Sequence, residues 1–237
     1  MGRSVLVLVA AAAAATLLGS CGGQEAGELQ RDSRSVDVEN AQSVRTELRV
    51  GAGELNVTGG ADALMEANFT YNVADWRPEV SYEVSGDEGV LRADQGSGGE
   101  DVFGGNTRNE WDVRLNDEVP IDLDVEMGAG ESDLDLDSLT LTGLDLSMGA
   151  GQTVVDLTGD YGQDLTASIE GGVGEATVRL PSEVGVRVSA EGGLGSINAE
   201  GLQRDGEAYV NEAYGESDVT LDVQVRGGVG QINLEAV

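Results

Sequence analysis

Carboxylates are the only abundant side chains of this chain that could carry out catalysis. The 237 residues include 44 aspartates and glutamates, no histidine and one cysteine, and all 13 basic residues are arginines. Without histidine and lysine, the Ser-His-Asp triad, histidine-bound zinc, the P-loop lysine and Schiff-base chemistry are excluded. A carboxylate pair could hydrolyse a glycoside, but among so many acids some pair always lies at a suitable distance. The composition therefore favours solvated acidic faces and predicts a protein that is not an enzyme, without cofactor or metal.

One glycine-rich motif invites comparison with a calcium site. The stretch GGVGEATVRL is similar to the nonapeptide G-G-x-G-x-D-x-U-x, which binds calcium in parallel β-helices. The ligand aspartate is missing, because Ala176, Ile197 and Ile232 stand at that position in the three copies. The copies also recur at intervals much longer than nine residues, so this type of calcium site is excluded.

The formal net charge of −31 restricts the partners. Such a surface repels nucleic acid and anionic lipid headgroups, so neither is expected to bind. Acid-rich, aromatic-poor chains are often disordered, but a hydrophobic content of 40% and a regular alternation of apolar residues indicate a folded core. Adaptation to high salt explains the charge, because the Debye length falls to about 3 Å at 1 M salt. We interpret the chain as halophilic.

The N-terminus predicts export. Arg3 precedes an apolar stretch over residues 5–18, which is too short to span a bilayer and typical of a signal peptide. The following Leu18-Gly19-Ser20-Cys21 resembles the lipobox of bacterial lipoproteins. The resemblance implies cleavage before Cys21, the only cysteine, and its acylation, so that no disulfide forms. An ordinary secretory signal and a free buried cysteine are the alternatives.

The anchor predicts where the protein resides. Two or three acyl chains on one residue hold a protein stably on a membrane, and Gly22 in place of aspartate resembles outer-membrane sorting in Gram-negative bacteria. We expect a signal peptide over residues 1–20 and a flexible polar tether over residues 21–40. The expected location is the extracytoplasmic side of the cell envelope, on the outer membrane more than the inner. The membrane is one expected partner and an integral membrane or envelope protein is another, whereas the oligomeric state stays open.

An internal repeat defines the architecture. The pattern Gly-x-Gly recurs six times, and its first glycines are separated by 77, 21, 23, 21 and 35 residues. The candidate corner glycines are Gly51, Gly53, Gly128, Gly130, Gly149, Gly151, Gly172, Gly174, Gly193, Gly195, Gly228 and Gly230. Before five of these corners stand the runs LDVEM, LDLSM, LTASI, VRVSA and LDVQV, in which every second residue is apolar. This period of two is typical of a strand with one buried face.

A unit of 21 to 23 residues cannot enclose a core of its own, whereas stacked units share one apolar column. Each unit is interpreted as strand, glycine corner and strand, which predicts an all-β, β-solenoid or β-helix-like stack with coils about 4.8 Å apart. A meandering sandwich is the alternative, but it would favour two-residue Asn-Gly or Asp-Gly turns. Residues 120–237 are assigned to the repeat solenoid. Residues 41–119 are less regular and are assigned to an N-terminal antiparallel β segment that caps it.

Several motifs in fixed order carry a family resemblance. GAGELNV, VPIDLDVEMGAGESDLDL, LDLSMGAGQTVVDL, IEGGVGEATVRLP and GGVGQINL resemble the bacterial toast-rack proteins, β-solenoid domains of the cell envelope related to the C-terminal domain of LiaF-type stress regulators. The resemblance implies an extracytoplasmic, non-catalytic, membrane-tethered module, although the expected lipid anchor takes the place of the transmembrane helices of the LiaF type. We predict an interaction or scaffolding module that modulates an envelope-stress response. The pieces GSIN and GQIN are also similar to the head domain of secreted adhesins, so an adhesin-like, surface-displayed solenoid is the alternative function.

Two sets of polar residues are candidate binding sites. The residues that follow the corners form a ladder if the corners stack, and Glu131, Gln152 and Glu175 are its central members. We interpret them as a hydrogen-bonded ladder, with a cation or glycan site as the alternative. The insertion over residues 204–215 carries Tyr209, Asn211 and Tyr214. It forms either a recognition loop or a segment that folds back over the coil edge.

Overall fold

The computed structural model describes residues 27–96 and 106–237. Within these residues all strands belong to one continuous sheet, and the helical content is one 3-10 turn at Ala74–Trp76. No helix of this described part is long and apolar enough to cross a bilayer. The strands are β1 (Gln30–Val36), β2 (Ser43–Thr58), β3 (Met65–Tyr71), β4 (Pro78–Ser85), β5 (Glu88–Gln95), β6 (Asn109–Leu115), β7 (Ile121–Asp135), β8 (Leu141–Asp156), β9 (Leu165–Leu180), β10 (Gly185–Glu200), β11 (Gln203–Asp205), β12 (Ala208–Val210) and β13 (Thr220–Ala236).

Six long strands form the body of the molecule. β2, β7, β8, β9, β13 and β10 lie side by side in this order, and each neighbouring pair is parallel. Each strand has 15 to 17 residues and bends at its Gly-x-Gly, so that one strand supplies two arms of a coil. A turn over residues 136–140 connects β7 to β8, and the amide of Ile121 donates to the carbonyl of Thr140 at 2.8 Å. The predicted all-β, solenoid-like fold is confirmed.

The core is a column of apolar side chains enclosed by the arms. In β7, Leu123, Val125 and Leu134 are buried, whereas Glu126 and Asp133 between them are exposed. The same alternation repeats in the next coil because the parallel register places equivalent residues side by side. Burial of each such side chain contributes about 1.5 to 3 kcal/mol. Period-two patterning in the sequence therefore becomes a continuous core along the stack.

The last two coils are not stacked in chain order. β13, the final strand, lies between β9 and β10, so Val229 pairs with Val173 on one side and with Leu194 on the other. After β10 the chain forms the short β11–β12 hairpin, and β12 pairs antiparallel with residues 187–189 of β10. The chain then returns to form β13. The last coil of the stack is therefore β10, at the end opposite to β2.

The predicted boundary between residues 119 and 120 falls inside the parallel stack, because the first coil lies before it. β2 contains the first Gly-x-Gly and pairs with β7 over both arms, with Gly53 beside Gly130, so it is the first coil rather than part of a separate cap. The antiparallel segment is formed by the other strands: β1 with β3, β3 with β6, and β4 with β5. Two of these, β5 and β6, cover the two arms of β2 in parallel. Together they close this end of the stack.

The predicted flexible tether over residues 21–40 is wrong at Gln30–Val36, which is strand β1. This strand pairs antiparallel with β3 from Gln30 beside Tyr71 to Val36 beside Met65. Asp32 accepts hydrogen bonds from the Tyr71 hydroxyl and the Arg77 guanidinium, both at 3.2 Å. Backbone pairing and polar contacts hold this strand. It therefore does not need an apolar residue at every second position, and its sequence shows no such pattern. The predicted signal peptide, Cys21 and the start of the tether lie outside the described residues.

Candidate functional site

The predicted corner glycines lie at the bends of the six long strands. Gly130 has a φ of 135°, a conformation that residues with a Cβ rarely adopt. A Cβ on Gly149 would run into the carbonyl oxygen of Gly128 in the neighbouring coil. From the second coil onward both glycines of a corner are therefore required, the first by the close approach of the adjacent coil and the second also by its backbone angle, whereas a Cβ on Gly51 of the first coil would only contact the Gln95 side chain.

The residues that follow the corners form a ladder. The register places them in the order Glu54, Glu131, Gln152, Glu175, Gln231 and Ser196. Carboxylates alternate with amides from Glu131 to Gln231, and Ser196 ends the ladder. Glu54 and Glu131 are direct neighbours, which the sequence spacing left unaddressed. No group of three or more acidic or cysteine side chains in the described ranges is arranged to hold a metal ion.

One part of this ladder is hydrogen-bonded through a second row of amides. The Asn233 amide nitrogen donates to Glu175 Oε1 at 2.7 Å, and the Gln231 amide nitrogen donates to Asn233 Oδ1 at 2.7 Å. Asn198 also donates to Asn233 Oδ1, at 2.9 Å. Glu175 thus has a protein partner, and the arrangement favours the interpretation as a structural ladder.

A cavity of about 200 Å³ lies at the bends of β9, β13 and β10. The cavity lies beside the residue that immediately precedes each Gly-x-Gly. In β7 and β8 this position holds Met127 and Met148, whose side chains are buried inside the bend. The register continues from Met148 to the glycines of the next three coils, Gly171, Gly227 and Gly192. We call this space the corner cavity.

The second arms of the three coils, after Gly-x-Gly, differ in how much side-chain volume they place in the corner cavity. The facing position holds Ala176 in β9, but Ile232 in β13 and Ile197 in β10. Ile169 and Met148 complete the apolar lining. Since β9 has small residues on both arms, the space is least filled at that coil. A cavity of this size and apolar lining accepts a small apolar group.

The same bends carry a row of exposed apolar residues. The middle residue of Gly-x-Gly is Val173, Val229 and Leu194 in these three coils, and 57%, 47% and 72% of their surfaces are exposed. These residues are adjacent in register and also line the corner cavity. The corresponding residue in the first three coils is alanine, at Ala52, Ala129 and Ala150. We call the larger three the apolar corner row, because contiguous exposed apolar residues mark interaction surfaces.

The corner of the first coil is covered by polar side chains. Gln95 Oε1 accepts hydrogen bonds from the amides of Gly51 at 2.8 Å and Ala52 at 3.3 Å. The Asn109 amide donates to the Ala52 carbonyl at 2.7 Å and to Gln95 Oε1 at 2.9 Å. Asn109 is itself held by the Trp111 indole at 3.0 Å. The backbone groups of this outermost corner are therefore satisfied without another coil.

The insertion folds back over the edge of β10. Asn211 is buried, donates to the carbonyl of Val184 at 2.7 Å and accepts from the amide of Val186 at 2.9 Å. Tyr209 packs partly buried against the core, with the Arg204 guanidinium 5.6 Å from its ring centre. Tyr214 remains 36% exposed. Asn211 and Tyr209 lie against the stack rather than on a loop that leaves it, which favours the interpretation that the insertion folds back, whereas recognition by the exposed Tyr214 stays a prediction.

A family model for the N-terminal domain of toast_rack matches residues 25–179, which is more than half of the chain. The chain belongs to the toast-rack family. The crystal structure of a candidate cell adhesion protein from Clostridium sporogenes is 37% identical, with a TM-score of 0.86, over 89% of this chain and 100% of that chain. A search of curated proteins finds no match.

A candidate adhesin from Bacteroides fragilis is also similar. It is 13% identical with a TM-score of 0.37, and the similarity covers 90% of this toast-rack chain and 100% of that protein. The family resemblance inferred from the ordered motifs is confirmed by the family match and by the Clostridium structure.

Arginines organise the outer face of the toast-rack stack near its first coil. Glu47 is buried between Arg92, which donates at 3.0 Å, and Arg49, whose guanidinium lies 3.0 Å away. Burial raises the pKa of Glu47, but the hydrogen bonds and charges of Arg92 and Arg49 outweigh burial and lower it. Arg45 extends the network to Asp122 at 3.1 Å. These ion pairs are structural and lie apart from the corner cavity.

Sequence reasoning missed the corner cavity and the cap of the first corner. The signal for the cavity was present in the motifs, because the residue before Gly-x-Gly is methionine in MGAG but glycine in GGVG and GGLG. Gln95 and Asn109 had no comparable signal. They approach Gly51 only through the tertiary arrangement of β5 and β6 around β2.

Proposed function

We propose that this toast-rack protein is a non-catalytic, adhesin-like binding module displayed outside the cytoplasm, and that the apolar corner row is its contact surface. The observation that supports this proposal most directly is the exposure of Val173, Val229 and Leu194 side by side on the parallel stack. Apolar patches on strongly charged surfaces indicate binding. Similarity to a candidate cell adhesion protein supports adhesion over the other binding roles.

The chemistry of the site supports binding rather than catalysis. The described groups whose pKa departs from its ordinary value, such as Glu47, Asp137 and Tyr161, do not line the corner cavity. Tyr161 illustrates a structural cause, because burial raises its pKa and its hydroxyl donates to the Leu157 carbonyl at 3.0 Å. Enzyme sites characteristically place such perturbed groups in the cleft.

The membrane anchor is part of the proposal. Acylation of Cys21 would hold the solenoid on the envelope, in keeping with the lipobox-like residues before it. The test compares wild type and Cys21→Ser by labelling with a fatty-acid probe and by cell fractionation. We expect label and membrane association to disappear together in the variant. Label retained by the variant would contradict the anchor.

Adhesion is tested on cells that carry the full-length protein. A triple variant, Val173→Ser, Val229→Ser and Leu194→Ser, removes the apolar corner row. The matched control places serine at the alanines of the same register, Ala52, Ala129 and Ala150. We measure cell aggregation and attachment to surfaces against a deletion strain, together with cleavage by protease added to intact cells.

We expect the corner-row variant to adhere as weakly as the deletion strain and the alanine-to-serine control to adhere normally. Adhesion unchanged by deletion, or a solenoid that added protease does not reach, would contradict the proposal. Modulation of an envelope-stress response through an integral membrane protein is the second candidate, supported by toast-rack membership alone. It predicts one membrane protein cross-linked in cells by the wild type and lost with Cys21→Ser.

A further inference from the structure

The two ends of the parallel stack differ in how they are covered. At the first coil, β5 and β6 cover both arms of β2, and Gln95 and Asn109 cover its corner. At the last coil, β12 covers only residues 187–189 of β10. Among the described strands, none pairs with the other edge of residues 191–200, which include the corner and the second arm.

The inward-facing side chains of β10 are less buried than those of β13, because none of the described strands covers this edge. Ala190, Ile197 and Ala199 are only partly buried, although they point toward the core. Their register partners in β13 are Val225, Ile232 and Leu234, which are all fully buried. The last coil thus has an open strand edge beside a partly exposed apolar end, and the corner cavity is lined by residues of this same coil.

We propose that an extended, basic segment of a partner protein adds as a further strand along residues 191–200 of β10 and inserts an apolar side chain into the corner cavity. Addition of a strand to an open edge supplies main-chain hydrogen bonds, and a pocket for one of its side chains supplies specificity. This proposal rests on the proposed binding function and names the partner chemistry of the same site.

The charges along this edge favour a basic segment as the added strand. Glu191, with 81% of its side chain exposed, and Glu200 lie on the open strand, and Glu175 stands in the neighbouring ladder. Arg226 is the basic residue of the cavity lining; its guanidinium pairs with Glu170 at 2.8 Å and lies 3.9 Å from the Glu191 carboxylate. A second copy would bring another net charge of −31 to this edge, which like-charge repulsion disfavours. A basic segment meets complementary charge.

The corner cavity can be filled selectively. A Cβ on Gly192 would lie 3.7 Å from Ile197, an ordinary contact, and the position falls in the register column of Met127 and Met148. Gly192→Met therefore blocks entry at the last coil without straining the corner. Gly162→Met is the matched control, because a Cβ at Gly162 meets open space outside the site.

The experiment uses purified full-length protein in nanodiscs of neutral lipid, with empty nanodiscs as the blank. The probe is a fluorescent nine-residue peptide of alternating arginine and leucine, compared with one of alternating glutamate and leucine. We expect saturable binding of the arginine peptide that weakens with salt. Gly192→Met should weaken it by roughly tenfold to a hundredfold, and Gly162→Met should not change it.

Several outcomes overturn the inference: no binding of the arginine peptide, equal binding of both peptides, full binding by Gly192→Met, or self-association of the protein through this edge in sedimentation. If the peptide fails to bind while the corner-row variant still loses adhesion, the inference fails and the proposed function stands. If the peptide binds as expected while deletion leaves adhesion unchanged, the adhesion proposal fails instead.

Discussion

Met148 of β8 and Gly171 of β9 are direct register partners, and the corner cavity begins at this pair. The facing arm makes a second reduction in size at the same step, from Thr153 to Ala176. Two differences between successive coils, glycine for methionine and alanine for threonine, thus remove side-chain volume from one bend. The backbone does not close over the space, because its spacing is set by the parallel hydrogen bonds of the stack.

The cavity leads to the first prediction. Gly171→Met should raise the free energy of unfolding by about 1 kcal/mol, because the side chain fills empty apolar space and glycine is lost from the unfolded chain. A Cβ on Gly171 has only the Arg226 carbonyl nearby, at 3.9 Å. Thermal and urea unfolding of the purified protein measure the change.

The neighbouring glycine is the control for this prediction. A Cβ on Gly172 would collide with the carbonyl oxygen of Gly149, so Gly172→Ala should lower the free energy of unfolding by about 2 to 3 kcal/mol. Gly171→Ala, which adds the same atom one residue earlier, should be tolerated. Equal effects of the two alanine variants would contradict the assigned corner geometry.

The second prediction concerns the ladder. Glu54 and Glu131 are neighbours in register, and like charges on adjacent strands destabilise a sheet. Glu131→Gln should therefore raise stability by a few tenths of a kcal/mol in low salt, and the gain should vanish in high salt. Glu175→Gln is the comparison, because Glu175 lies between Gln152 and Gln231 and accepts a hydrogen bond from Asn233. A gain with Glu175→Gln but not with Glu131→Gln would contradict this assignment.

The third prediction is a pH dependence set by Glu47. Its folded pKa lies below the ordinary value of 4.5 because Arg92 and Arg49 outweigh burial. A lowered folded pKa contributes stability that is present above pH 4.5 and is lost as pH falls through the folded pKa. Glu47→Gln should cost about 1 to 2 kcal/mol at pH 7, and the cost should shrink as the pH falls below the ordinary value.

Unfolding curves of wild type and variant across this pH range test the third prediction. Glu79→Gln is the control, because Glu79 is an exposed glutamate on β4. It should leave both the stability and its pH dependence nearly unchanged. A Glu47→Gln variant whose deficit is the same at every pH would contradict the electrostatic origin.

Much of the fold could be predicted because short stretches of sequence specify both the strands and the corners. Apolar residues at every second position, as in Leu123 to Met127, specify a one-sided strand, and the recurrence of Gly-x-Gly specifies the coil length. Strand β1 was missed because its pairing with β3 relies on backbone bonds and on contacts of Asp32, which leave no apolar period.

The order of the last coils could not be predicted for a different reason. β10 and β13 carry the same corner glycines, and each could stack on β9 in register. The choice depends on the β11–β12 hairpin, which pairs with one end of β10 and turns the chain back. That contact joins residues 187–189 to residues 208–210 and lies outside the local repeat. The same placement leaves the edge of β10 open, which residue types alone did not indicate.

The fourth prediction distinguishes a structural insertion from a recognition loop. Asn211 satisfies the amide of Val186 and the carbonyl of Val184 in a buried position. Asn211→Ala leaves both groups without a partner and should cost about 2 to 3 kcal/mol of unfolding free energy. Tyr214→Ala removes a partly exposed ring and should change stability much less. Urea unfolding of both variants, with adhesion measured in parallel, decides the matter: unchanged stability in Asn211→Ala would mean that the insertion does not secure the edge of β10.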